Sequence, residues 1–95
     1  MTAIDTSTDA ITGNTVVTIT WSDGECIQYT IAPNPDADPD DYLNSMSYNV
    51  YITGYACPED GVEFSQWDIS DETRAELATQ CDTMADAIEY CTIVY

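Results

Sequence analysis

The chain has 95 residues, of which eighteen are Asp or Glu and one is basic (Arg74); Lys and His are absent, and the formal net charge is -17. Such a surface repels nucleic acid and anionic membranes and attracts proteins with a lysine- or arginine-lined groove. An apolar fraction of 44% with seven Tyr and two Trp excludes a disordered chain, and the length suits one domain, residues 1–95, with one modest core.

Residues 1–14 are Thr-rich and close on Gly13-Asn14, which predicts an edge element or an arm ending in a turn. Thr15 to Trp21 alternates, with Val17, Ile19 and Trp21 on one side and Val16, Thr18 and Thr20 on the other. Ser22-Asp23-Gly24-Glu25 has turn chemistry, and Cys26 to Ile31 alternates again, so residues 15–31 are expected to form a β-hairpin. Ala32 to Asp41 holds three Pro and four Asp and reads as an acidic loop, because proline removes a backbone donor from helix and sheet alike. A third strand is expected near 46–53, stopping at Gly54. After the turn at Cys57-Pro58-Glu59-Asp60-Gly61, Val62 to Trp67 suits a short fourth strand.

Ser70 stands where a helix N-cap would, with Asp71 and Glu72 in the first turn, and no Gly or Pro interrupts the chain to Cys91. Leu77, Cys81, Met84, Ile88 and Cys91 repeat at helical spacing, which predicts an amphipathic helix over about 71–91; a second helix capped by Asp82 is the alternative. Thr92 to Tyr95 is β-prone. The expected fold class is α+β: an antiparallel sheet of three to five strands with the carboxyl-terminal helix packed on one face.

On that helix Asp71, Glu72, Glu76, Asp82, Asp86 and Glu89 fall within one arc at roughly 100° per residue, opposite the apolar stripe, over roughly 27 Å. A solvated helix face ordinarily interleaves acids with Lys and Arg, and here only Arg74 is present. Asp36, Asp38, Asp40 and Asp41, then Glu59, Asp60 and Glu63, likewise have no basic neighbours in the sequence. These thirteen acids are the candidate partner-binding residues. Tyr42, Tyr48, Tyr51, Tyr55 and Trp67 serve either as anchors at the partner surface or as core.

The spacing of Asp36, Asp38 and Asp40 resembles a calcium loop, but the sixth position is Asp41 where Gly is needed and the twelfth is Ser47 where Glu is needed. Cys26, Cys57, Cys81 and Cys91 are too widely spaced for a zinc site, and read as buried thiols or as two disulfides. Without His, Lys, a Gly-rich phosphate loop or a nucleophile beside a base, the residues point to no enzyme and imply no cofactor. Neither a bilayer-length apolar run nor a signal-peptide pattern is present, so a cytoplasmic protein is expected.

In size, acidity and lack of Lys the chain resembles the small acidic nucleic-acid mimics of phages and mobile elements, among them anti-CRISPR and anti-restriction proteins. The resemblance covers composition over the full length and transfers no residue by position. It implies a non-catalytic inhibitor, acting in the cytoplasm of the host cell, whose carboxylates take the place of phosphates in the basic channel of a CRISPR effector or restriction enzyme. The competing expectation is adaptation to high salt, where repulsion is screened within about 3 Å at molar ionic strength. A calcium-dependent interaction module is the third.

Overall fold

The computed structural model describes residues 2–35, 37, 38, 40, 46–71 and 73–93. Six strands form one antiparallel sheet: β1 (Thr2–Thr8), β2 (Thr15–Trp21), β3 (Cys26–Pro33), β4 (Tyr48–Cys57), β5 (Val62–Gln66) and β6 (Glu76–Cys81). One short helix, α1 (Met84–Ile93), follows. The sheet runs β1-β2-β3-β4-β5, and β6 also pairs with β4. The β-branched alternation of β2 and β3 sets their register, with Ile19 opposite Ile27 and Val17 opposite Tyr29.

β4 carries two partners along one edge. Its first half, Tyr48 to Ile52, pairs with β6, and its second half, Gly54 to Cys57, pairs with β5. Both partners are antiparallel to β4, so they lie end to end, and residues 67–75 leave the sheet between them. The break is anchored by Trp67, whose backbone N–H donates to the Thr53 carbonyl (2.9 Å) and whose indole N–H donates to the Ile52 carbonyl (3.1 Å). The expected stop at Gly54 is not observed. A Cβ there would lie 2.8 Å from the Gln28 Cβ, so glycine is what lets β4 continue past β3.

The α+β expectation with a helix over 71–91 is overturned: this is a mostly-sheet domain of six strands, and residues 76–81 are a strand. Asp68 Oδ1 accepts the Ser70 N–H and hydroxyl, and Asp71 Oδ1 accepts the Thr73 N–H and hydroxyl; the turn opened at Asp71 closes with the Ala75 N–H on the Asp71 carbonyl at 2.8 Å and goes no further. Beyond them, the free edge of β4 offers a row of backbone partners that residues 76–81 complete, and this ladder prevails over helix propensity. The helix begins only after Thr83, whose hydroxyl accepts the Asp86 N–H at 3.1 Å and caps it.

The core lies between one face of the sheet and α1. Val17, Ile19, Ile31, Val50, Ala87 and Cys91 have no exposed surface, and Tyr29 meets Tyr90 edge to face at 6.5 Å. Leu77, expected in the apolar stripe, is 48% exposed because it belongs to β6. All four cysteines are free thiols; Cys26, Cys57 and Cys91 are buried.

The other face of the sheet is polar. Thr53, 1% exposed, accepts from Gln28 Nε2 (3.1 Å), and its hydroxyl is hydrogen-bonded to that of Thr30 (2.7 Å), either oxygen being able to donate. Gln80 Nε2 donates to Asn49 Oδ1 (2.8 Å), and Asn49 Nδ2 donates to the Tyr51 hydroxyl (3.1 Å). Among the described residues no buried side-chain nitrogen or oxygen lacks a partner.

Candidate functional site

Fifteen of the eighteen carboxylates fall on described residues, and none is buried. Only Glu25 and Asp71 are half-exposed; the rest stand in solvent. Arg74 is the single cation available to all of them, so the negative field is left almost uncompensated. The molecule extends 46 × 27 × 25 Å. Its net charge over the long dimension amounts to one per about 2.7 Å, between the roughly 1.7 Å of duplex DNA and the roughly 3.4 Å of a single strand.

The expected continuous carboxylate face does not exist, because its residues belong to different elements. Asp71 lies in the 67–75 excursion, Glu76 opens β6, Asp82 precedes α1, and only Asp86 and Glu89 are on the helix. The Thr73 hydroxyl donating to Asp71 holds that carboxyl below the ordinary carboxylate range, with the nearby Arg74 a lesser cause. Asp38 and Asp40 are exposed in the loop between β3 and β4, where Asp38 Oδ1 accepts the Asp40 N–H at 2.9 Å. Asp36, Asp41 and Glu72 lie outside the described residues, as does Tyr42.

Glu59, Asp60 and Glu63 do come together, at the end of the sheet where β4 turns into β5. Pro58–Asp60 forms a single 3-10 turn closed by Gly61. The β2–β3 turn packs beside it: Gly24 has φ 91, and a Cβ there would approach the Pro58 ring to 3.0 Å. That contact brings Glu25 to the same end. The Cys57 thiol bonded to Tyr55 pushes the tyrosine hydroxyl above its ordinary pKa, with loss of solvent and the charges of Glu25 and Asp60 adding to the effect. Cys57 Sγ also donates to Asp60 Oδ2 at 3.3 Å.

At this end of the sheet lies an apolar cavity of about 460 Å³, bounded by Ala56, Pro58, Val62 and Phe64, with Glu63 the carboxylate in its lining. Val62 and Phe64 are 39% and 49% exposed. Of the residues at this end the sequence singles out Glu59, Asp60 and Glu63 and not Glu25, Val62 or Phe64. The alternation of Val62 and Phe64 in a short edge strand was the available signal.

A second cavity, about 540 Å³, opens on the polar face of the sheet between the β1–β2 turn and the start of the 67–75 excursion. Its lining includes Asp9, Gln28, Thr30, Gln66, Trp67 and Asp68, of which the sequence singled out only Trp67. Among the described residues no three His, Cys, Asp or Glu side chains converge as a metal site, and no helix is long and apolar enough to cross a membrane. Comparison with protein-family models, curated proteins and solved structures returned no match.

Proposed function

We propose that this protein is a non-catalytic inhibitor that binds the basic nucleic-acid groove of a partner, with the acidic pole around Phe64 as the centre of contact. The observation that carries this reading is that Glu25, Glu59, Asp60 and Glu63 share the end of the sheet at which Val62 and Phe64 stand exposed, in a molecule with one cation. The apolar side chains supply the anchor, and the carboxylates pair with lysine and arginine that otherwise hold phosphates. The charge per unit length, close to that of nucleic acid, supports competition for the same channel. The acidic nucleic-acid mimics that the composition resembles point to a CRISPR effector or restriction enzyme as the partner class.

Displacement of labelled duplex DNA from purified effectors and restriction enzymes tests the reading. The expected result is displacement by the native protein that fades with added salt and is lost in Phe64→Ala and in Glu59→Gln/Asp60→Asn/Glu63→Gln. Failure to displace DNA from any of them, together with a fold that persists only at molar salt, would establish salt adaptation in its place.

A further inference from the structure

α1 covers only part of the sheet face on which it packs. Its ten residues give about 15 Å of helix, whereas the ten residues of β4 extend about 33 Å. Ile4 lies opposite Ile19, Ile19 opposite Ile27, and Ile27 opposite Tyr55; residues directly opposite share a face, so one apolar row crosses β1, β2, β3 and β4. Ile19 has no exposed surface, but Ile27 and Tyr55 are half-buried and Ile4 is 51% exposed. Trp21, two residues on from Ile19, is half-buried on the same face. This row has an acidic border. The Trp21 N–H donates to the Glu25 carbonyl at 2.9 Å, which continues the β2–β3 ladder and sets Glu25 opposite Trp21. On β4 the Cys57 thiol bonded to Tyr55 donates to Asp60 Oδ2 at 3.3 Å. Phe64 stands on the other side of the sheet, since its ring comes within 3.4 Å of a Cβ placed on Gly54, a Cβ that would also meet that of Gln28 at 2.8 Å.

We propose that the face formed by Ile4, Trp21, Ile27 and Tyr55 docks an amphipathic helix of a partner protein, with apolar side chains on the row and Lys or Arg over Glu25 and Asp60. The apolar face of a sheet is buried against a helix or a second sheet, and the packing of Ala87 and Cys91 on Val17, Ile19 and Tyr29 is how this face takes a helix beside the row. From Ile4 to Tyr55 is three strand spacings, about 14 Å, which about ten helical residues span. Charge decides the source of that helix. A second copy brings its own net charge of -17, with no Lys and one Arg to set against it, so it is repelled. A helix with a basic polar face is attracted. With Phe64 on the opposite face, this surface is separate from the contact proposed above and stands whether or not the protein competes with DNA.

The test is an NMR titration of isotope-labelled full-length protein, at about 0.15 M salt, with three end-blocked peptides of about fourteen residues. One is an amphipathic Leu/Lys peptide with leucines at i, i+3, i+4 and i+7, the second a scramble of it with the same charge, and the third its Leu/Glu counterpart. The amphipathic Leu/Lys peptide is expected to shift the Trp21 indole and the Ile4 and Ile27 methyls to saturation while the Trp67 indole stays in place. Ile4→Asn, at an exposed position, should weaken its binding at least about threefold, and Glu25→Gln should weaken it and flatten its salt dependence. Leu77→Asn, at a similarly exposed apolar side chain on β6, should do neither. Equal binding of the scramble would reduce the contact to charge alone, and binding of the Leu/Glu peptide would remove the role of the acidic border. A dimer in sedimentation that buries Trp21 without any peptide would give the face to a second copy. Each of these results, or the absence of a saturable shift, would overturn the proposal.

Discussion

Replacing Thr53 by valine removes one hydroxyl from the centre of the polar face while keeping the β-branched shape. Thr53 is 1% exposed, and its Oγ1 is the common partner of Gln28 Nε2 and Thr30 Oγ1. Gln28 is half-exposed and recovers its hydrogen bond from water. Thr30, 9% exposed, does not, and its stranded hydroxyl costs about 1–3 kcal/mol. In a domain of this size that lowers Tm by about 4–24 °C. Thr30→Val should cost less, because Thr53 keeps Gln28 as a partner. The double variant should lose clearly less than the sum of the two single losses, since an absent pair is cheaper than a broken one. Urea unfolding followed by far-UV circular dichroism measures all three. A Thr53→Val loss below about 0.5 kcal/mol, or strict additivity in the double variant, would refute the assignment of this network as a stabilising unit.

Thr83→Ala removes the cap of α1 and should cost about 0.5–2 kcal/mol, whereas Thr83→Ser should be close to native by the same urea measurement. Burial pushes the Cys91 thiol up to about 12 from an ordinary 9, so at pH 8.5 it holds about a thousandfold less thiolate than a free cysteine, and iodoacetamide should label it only when the protein unfolds. Because the native state keeps this proton while the unfolded chain releases it, the associated stability is complete below pH 9 and declines as pH rises from 9 toward 12. Cys91→Ala should therefore lose stability less steeply than the native protein over that interval; parallel curves would contradict the assignment.

The elements legible from the residues were those in which local pattern and tertiary pairing agree. The alternation of Val17, Ile19 and Trp21 against Ile27, Tyr29 and Ile31 marks a hairpin by itself, since a one-residue slip would turn every apolar side chain to the wrong face. The exposure of the acids was equally legible, because an isolated carboxylate cannot be buried without a partner and the chain has one cation to offer. Residues 76–81 show the opposite case. Glu76-Leu77-Ala78-Thr79-Gln80-Cys81 has good helix formers and a helical spacing to Met84 and Ile88, yet the open edge of β4 makes a strand of it. Such an edge is created by segments some 25 residues away in sequence and has no signature within the strand that fills it. The same long-range placement scattered the carboxylates of the expected helix face and gathered Glu25 with Glu59, Asp60 and Glu63. How much charge the surface carries therefore follows from composition, through the cost of burying it. Where that charge concentrates follows from which strand edges find each other, and this is a property of the assembled sheet.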